Sequence, residues 1–371
     1  MKLACFLSSV EGGAFWKGTL DEIKSLGFDI SNSHALSNEA YRNRRGKLGR
    51  LRNLWSMYVW YSLKTFVWPG RARYFVSTTN PFYLPAVTRF RVGHCGHTVF
   101  LVYDLFPDAI ELAGAIKKNS FASKLIEKVT TYAIRNCSAT VFLGEHLRKH
   151  SEARFGKARY STVIHVGADA RPFASIPPKA ISDREKIIVG YCGNLGRAHD
   201  ILTWSRFILE RSTDLSKQVE WQFHSFGPKY EQIRNAFSVH NASVKLEGPL
   251  PDMEWEQFMS RVHVAMVSID TGWERVVMPS KTYSAMVAGQ AILAICPLES
   301  DLANLVRKHD CGWVVPVGDV DELDRIVTTE MVDRLILLRK RENAFRAGQE
   351  FYSTVAIAKR WKMLFDHLDG L

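Results

Sequence analysis

The chain has 371 residues, 46% of them hydrophobic and 23% charged. That balance excludes a disordered or fibrous polymer and is long enough for two globular domains. The formal net charge of +11 suits anionic partners such as nucleic acid, phospholipid or phosphorylated small molecules, and selects none of them. None of the six cysteines are spaced C-x-x-C, and several lie in apolar runs such as LACFL (Cys5) and ILAIC (Cys296). A disulfide scaffold or zinc site is therefore not expected, and buried free thiols in a reducing cytosol are.

In chain order, Leu3–Leu7 reads as an apolar strand, followed by a polar turn ending in Gly12-Gly13. A helix carrying Phe15, Leu20, Ile23 and Leu26 then stops at Gly27. Further strands are expected at Ala72–Thr78, Thr98–Asp104, Ala139–Gly144 and Ser161–Asp169, with a helix over EHLRKHSEARFG. Residues Ala170–Lys186 are polar, proline-rich and aperiodic, which marks a linker. The alternation then restarts with Ile187–Cys192 and continues through WQFHSFG, SVKLEG, VHVAMVSI, AILAIC and GWVVPV. Helices are expected at Lys281–Ala288, after Asp319, and over Ser353–Leu368. Apolar strands alternating with helices imply parallel sheets covered on both faces, hence an α/β fold in two halves. No secretory signal is expected, because the first apolar run is short and no small-residue cleavage site follows. The longest apolar stretch, Leu54–Trp68, is interrupted by Ser56, Ser62, Lys64 and Thr65 and falls short of the ~20 residues of a span.

Ligands of such sheets bind beyond the C-terminal ends of the strands, which directs attention to the residues there. Gly193-Asn194-Leu195-Gly196-Arg197 follows a strand directly. Glycines let the backbone approach a phosphate, a following helix N-terminus adds partial positive charge, and Arg197 adds a donor fork. The same G-x-x-G also serves as a purely structural turn. Pro279-Ser280-Lys281 opens a helix, with Ser280 as a cap and Lys281 in the first turn, where a bound anion would offset the dipole's opposition to a cation. Alternatively Lys281 is a surface lysine. Tyr103-Asp104 ends the most apolar strand of the first half; Asp104 is either a cleft carboxylate able to act as a base or a helix cap, a task Asp108 could also fill. Glu145 is a first-turn acid or a cleft group, and His199-Asp200 is a helix-start pair or a sugar contact. His94 and His97 in GHCGH have metal-like spacing but no evident third ligand, so no metal site is expected. The basic stretch Arg42–Arg52 runs into LWSMYVWYSLKTFVW, so residues about 41–68 form either an interfacial helix on an anionic bilayer or a helix packed on the sheet with a solvated leader.

Seven stretches in order — STTNPFYLPAV, VYDLFPDAIE, VIHVGADARPF, VGYCGNLGRAHD, LEGPLPDMEWEQFM, MPSKTYSAMVAGQAILAI and CGWVVPVGDVDEL — together resemble the retaining GT-B glycosyltransferases of family 4. The likeness is greatest to bacterial members that build O-antigen, capsule or exopolysaccharide repeat units. The resemblance implies two Rossmann-like domains with parallel sheets facing a central cleft. Residues 1–172 would bind the acceptor, residues 173–352 the nucleotide-sugar donor, and a C-terminal helix at about 353–371 would cross back to the first domain. It implies that Arg197 and Lys281 hold the donor diphosphate while Gly193, Asn194 and Gly196 approach it through the backbone. Gly12 and Gly13 would lie by the phosphates, Gly248 near the base, and Glu299 and Ser300 by the donor sugar. Tyr103, Asp104 and Glu145 would face the acceptor. The donor would be a nucleotide diphosphate sugar, UDP first and GDP second. The acceptor would be a sugar or polyprenyl-linked glycan, and no metal cofactor or nucleic acid is expected. The location implied is cytoplasmic, peripheral on the inner face of the membrane. The chain departs from the family pattern at two glutamates, where it has Val276 and Ser284, and at a histidine, where it has Tyr103. Two other functions fit parts of the pattern: a hydrolysing nucleotide-sugar 2-epimerase of the same fold, and a basic nucleic-acid-binding protein. The latter rests on charge alone, without a recognisable nucleic-acid motif.

Overall fold

The structure, a computed structural model, describes residues 2–10, 14–37, 46–61, 63, 65, 72–93, 95–211, 218–237 and 244–371. The chain divides into two compact units: Met1–Val166 with Thr354–Leu371, and Gly167–Ser353. The first boundary falls a few residues before the expected 172/173. The strand expected over Ser161–Asp169 pairs only at Ser161–Val163, and Ala168 instead bridges to Ser353 within the second unit.

The first unit runs β1 (Lys2–Val10), α1 (Ala14–Ser25), β2 (Phe28–Leu36) and α2 (Gly46–Trp55), which continues as a π-helical turn at Ser56–Trp60. Then come β3 (Tyr74–Thr78), α3 (Leu84–Val92), β4 (His97–Val102), α4 (Asp108–Leu112), α5 (Phe121–Asn136), β5 (Ala139–Phe142), α6 (Glu145–Phe155) and β6 (Ser161–Val163). Its parallel sheet has the order β2-β1-β3-β4-β5-β6, so the strand order reverses between β1 and β3. The closing helix, Thr354–Asp369, belongs to this unit because its apolar face is built into it. Trp361 is fully buried edge-on against Phe6 and Trp16, with ring centroids 5.7 and 6.2 Å away. Phe365 stacks on Tyr74 at 4.3 Å.

The second unit runs β7 (Ile187–Asn194), α7 (Leu202–Arg211), β8 (Val219–Phe226), α8 (Pro228–Phe237), β9 (Val244–Glu247), α9 (Asp252–Arg261) and β10 (Val264–Ser268). After a 3-10 turn at Trp273–Arg275 it continues with α10 (Lys281–Val287), β11 (Ala291–Ile295), α11 (Asp301–His309), β12 (Gly312–Val315), α12 (Val320–Arg325) and α13 (Arg334–Phe351). The sheet is again parallel, ordered β12-β11-β10-β7-β8-β9, and reverses between β7 and β10. Trp204, Phe207, Trp221 and Phe223 fill one side of it. Among the cysteines, Cys5, Cys137, Cys296 and Cys311 are buried, Cys192 is half-buried, Cys95 is exposed, and all are free.

Candidate functional site

In an open parallel sheet the crevice for a ligand lies where the strand order reverses, beyond the carboxyl ends of the two strands that flank it. In the second unit those strands are β7 and β10, and the residues beyond them form one connected constellation. β7 carries Tyr191, Gly193 and Asn194; the loop after β10 carries Asp270 and Gly272; and Lys281 opens α10. The Lys281 Nζ lies 3.8 Å over the ring of Tyr191, donates to its hydroxyl, and stands 3.5 Å from the Asn194 carbonyl oxygen. Tyr191 is buried, and its own hydroxyl donates to Asn194 O at 2.8 Å. Burial pushes the Lys281 ammonium down to about 7, with no carboxylate partner among the described residues to hold it charged.

The glycine turn is clamped from two sides. Gly193 has φ +123°, a conformation that favours glycine, and a Cβ there would point within 4.0 Å of Lys281 Nζ. Leu195 N–H donates to Phe226 O at 2.8 Å, and Lys229 N–H donates to Leu195 O at 3.1 Å. Gly227, at φ +109°, leaves room for the Asn194 side chain, whose Oδ1 would lie 2.2 Å from a Cβ at that position. On the other side His199 Nδ1 is 2.8 Å from Ser268 O, Ser268 Oγ donates to Asp200 O at 2.7 Å, and Asp270 N–H donates to Ala198 O at 2.8 Å. Lys229 bridges the two sides, donating to His199 O and pairing with Asp270 at 3.2 Å. Burial, with Lys281 nearby, lowers His199 to about 3, so its ring is neutral at physiological pH. The arrangement is a rigid backbone loop presenting one titratable cation and an exposed Arg197 at the reversal point.

Several expectations change in the structure. The helix after the glycine turn does not start there: α7 begins at Leu202, and the Asp200 carboxylate accepts from Leu202 and Thr203 N–H. Those amides are occupied by a cap, so the helix N-terminus expected beside the turn is not offered to a ligand. Ser280 makes no capping hydrogen bond. The buried Ser300 hydroxyl accepts from Ala303 N–H as the cap of α11, a structural task for a residue expected beside the donor sugar. Glu299 is exposed in the loop before it, Gly248 is exposed after β9, and Ser284 is half-buried on α10. Gly196 adjoins the Asn194 side chain.

In the first unit the order reverses between β1 and β3. Gly12 and Gly13, beyond β1, lie outside the described residues. Beyond β3 and β4, Tyr103 N–H donates to Thr79 Oγ1 at 2.9 Å, and Asp104 follows with its side chain open to water. Asp104 caps no helix, since α4 starts after Pro107 without a side-chain cap. Asp108 is no cap either: it lies 2.7 Å from Arg154 and 3.0 Å from His150, both on α6. Glu145 is the first residue of α6 and pairs with Arg148.

A second feature of this unit is α2 with the π-helical turn that continues it and the described residues just after. Asn53, Met57, Tyr61 and Thr65 are buried at a spacing of four, while Leu51, Trp55, Val59, Trp60 and Leu63 are exposed, Leu51 at 65% and Trp55 at 54%. The outward face thus exposes five large apolar side chains beside Arg52. The basic leader at 42–45 lies outside the described residues. Among those residues no helix is long and apolar enough to cross a membrane. The residues that sequence reasoning missed are Tyr191, Lys229 and Asp270; a buried aromatic in a strand carries no signal of its own.

No protein-family model matches the chain. Solved structures do match over its whole length. Sucrose-phosphate synthase from Thermosynechococcus elongatus superposes with a TM-score of 0.73 at 12% identity, covering 100% of both chains. HepE of Anabaena, solved in complex with UDP, superposes with a TM-score of 0.68 at 15% identity, covering 99% of this chain and 100% of that one. This is the GT-B glycosyltransferase fold. In sequence, the GT-B chain is 23% identical over 281 residues to the probable glycosyltransferase WbjE of Pseudomonas aeruginosa, 72% of this chain and 68% of that one. A shorter match, 28% over 155 residues, covers 40% of this chain and only 15% of the exopolysaccharide phosphotransferase SCO2592 of Streptomyces coelicolor.

Proposed function

We propose that the chain is a glycosyltransferase that takes a nucleotide diphosphate sugar, UDP-linked first, and transfers the sugar to a glycan or lipid-linked acceptor in bacterial surface polysaccharide synthesis. The observation that carries the reading is Lys281 beside a glycine turn at the strand-order reversal of the second unit, on a fold shared with a protein solved with UDP. Breaking the anomeric bond leaves a nucleoside diphosphate, and stabilising that departing charge dominates the barrier. Lys281, Arg197 and the turn amides supply the stabilisation without a metal. On this reading the leaving phosphate helps deprotonate the acceptor on the same face, giving retention, and Asp104 orients or deprotonates an acceptor hydroxyl. A hydrolysing 2-epimerase would release product from the donor with no acceptor present.

The acceptor is proposed to be lipid-linked and the chain peripheral on the membrane, on the strength of the exposed apolar residues Leu51, Trp55, Val59, Trp60 and Leu63. Flotation with phosphatidylglycerol vesicles that survives Trp55→Ser with Trp60→Ser would rule out that face as the contact.

The function is tested by thermal stabilisation with UDP, GDP, ADP and dTDP, beside Arg197→Ala and Lys281→Ala. At about 100 times its dissociation constant, the carrier nucleotide stabilises by roughly 2.7 kcal/mol. One nucleotide should stabilise the parent and neither variant; no effect from any of them at millimolar concentration would sink the donor assignment.

A further inference from the structure

A cavity of about 440 Å³ opens at the end of the first unit's sheet opposite Asp104 and is lined by Arg73, Arg89, His97, Ser138, Arg159, Tyr160 and Leu371. His97 begins β4, Ser138 precedes β5, and Arg159 and Tyr160 precede β6, so the cavity sits at the N-terminal ends of these strands. Asp104 lies at the opposite end of β4, roughly 20 Å away at about 3.3 Å per strand residue. The cavity is therefore separate from the acceptor face proposed above.

Its charge is unbalanced. Arg73 is paired, at 3.0 Å, with Asp369, which Lys2 shares. Arg89 donates to the Gly93 carbonyl, and neither Arg89 nor Arg159 has a carboxylate partner among the described residues. Both guanidinium-bearing residues line the same cavity. The GHCGH loop supplies part of the wall. Gly96 packs so closely on Arg73 that a Cβ would stand 3.1 Å from its carbonyl oxygen, and Gly93, at φ +56°, turns the backbone at the rim. Tyr160 is held by stacking on His367 at 4.1 Å. Burial and Arg73 lower His97, leaving a neutral ring that can donate one N–H.

Two guanidiniums with no carboxylate partner among the described residues match a dianion, where a single carboxylate would neutralise only one, and the planar donor fork of arginine fits paired phosphate oxygens. We infer that this pocket binds a phosphomonoester dianion, carried either by a free phosphorylated metabolite or by a lipid with a terminal phosphate headgroup.

Inorganic phosphate is titrated calorimetrically into the full chain carrying Lys281→Ala, so that the donor site does not contribute, with and without Arg159→Glu. Arg159 is exposed, and a thermal melt verifies that its reversal leaves the fold intact. Saturable binding is expected, weakened about tenfold or more by Arg159→Glu. Flotation with phosphatidate-containing vesicles, against phosphatidylcholine alone, separates the sources. Phosphatidate-dependent flotation that Arg159→Glu abolishes assigns the lipid, and phosphate binding without such flotation assigns the free metabolite. Phosphate binding unchanged by Arg159→Glu overturns the inference, as does loss of both signals in the parent pocket. Neither result bears on the donor assignment, which is read at Lys281 and Arg197.

Discussion

The depressed Lys281 ammonium makes the donor site's affinity depend on pH. Its pKa falls from 10.5 to about 7 because burial strips water from the ammonium, with no carboxylate partner among the described residues to offset that cost. A bound diphosphate supplies the missing counter-charge, so binding favours the protonated lysine and takes up a proton wherever the free site is neutral. At pH 6 the free lysine is about nine-tenths protonated and at pH 8 about one-tenth, so affinity should fall about tenfold between those values. The apo protein should show the opposite slope. The unfolded lysine keeps the higher pKa and binds more protons between 7 and 10.5, so stability rises with pH across that window. The assay is calorimetric titration with the nucleotide sugar that binds, at pH 6, 7 and 8, in buffers of different ionisation enthalpy. A nucleotide sugar is preferable to the free diphosphate because it has no phosphate ionisation near neutrality. An affinity independent of pH, or a slope that persists in Lys281→Met, would refute the reasoning.

Gly227→Ala places a methyl 2.2 Å from Asn194 Oδ1 at φ +109°, so it should cost about 2–3 kcal/mol in urea unfolding and weaken nucleotide binding by displacing the turn; an unchanged midpoint would show the clamp to be slack. Trp361→Ala removes a buried ring shared by α1, β1 and the closing helix and should destabilise the first unit by about 3–5 kcal/mol. A loss below about 1 kcal/mol would mean that helix is an appendage rather than part of the core.

What the sequence made legible followed from period and punctuation. Buried central strands such as Val99–Val102 and Ala291–Ile295 are continuous apolar runs, and each reads as a parallel strand from its letters. β2, FDISNSHAL, escaped the same reading because it is an edge strand whose polar residues are tolerated where only one neighbour pairs. The glycine turn and Lys281 were each visible as residues beyond strand ends. Their meeting came only from the family resemblance, since 90 residues separate Tyr191 from Lys281 and the adjacency of β7 and β10 closes that gap. Ser300 and Asp200 show the converse limit: a polar residue after a strand is equally well placed to cap the next helix, and here both do.

The departure at Ser284 bears on the same lysine. Residues 281 and 284 are three apart on α10, near enough for a carboxylate at 284 to reach the ammonium. With serine there, Lys281 rests on an aromatic ring and titrates near neutrality. Ser284→Glu should restore a counter-charge, raise the Lys281 pKa and move the loss of nucleotide-sugar affinity to higher pH. It should also lower the affinity at pH 6, because part of the cation's field is then neutralised before the diphosphate arrives. The pH at which affinity is half lost is the discriminating readout, since a steric effect of the longer side chain would weaken binding equally at every pH. If that midpoint stays where it is in the parent, the depression of Lys281 owes nothing to the missing carboxylate.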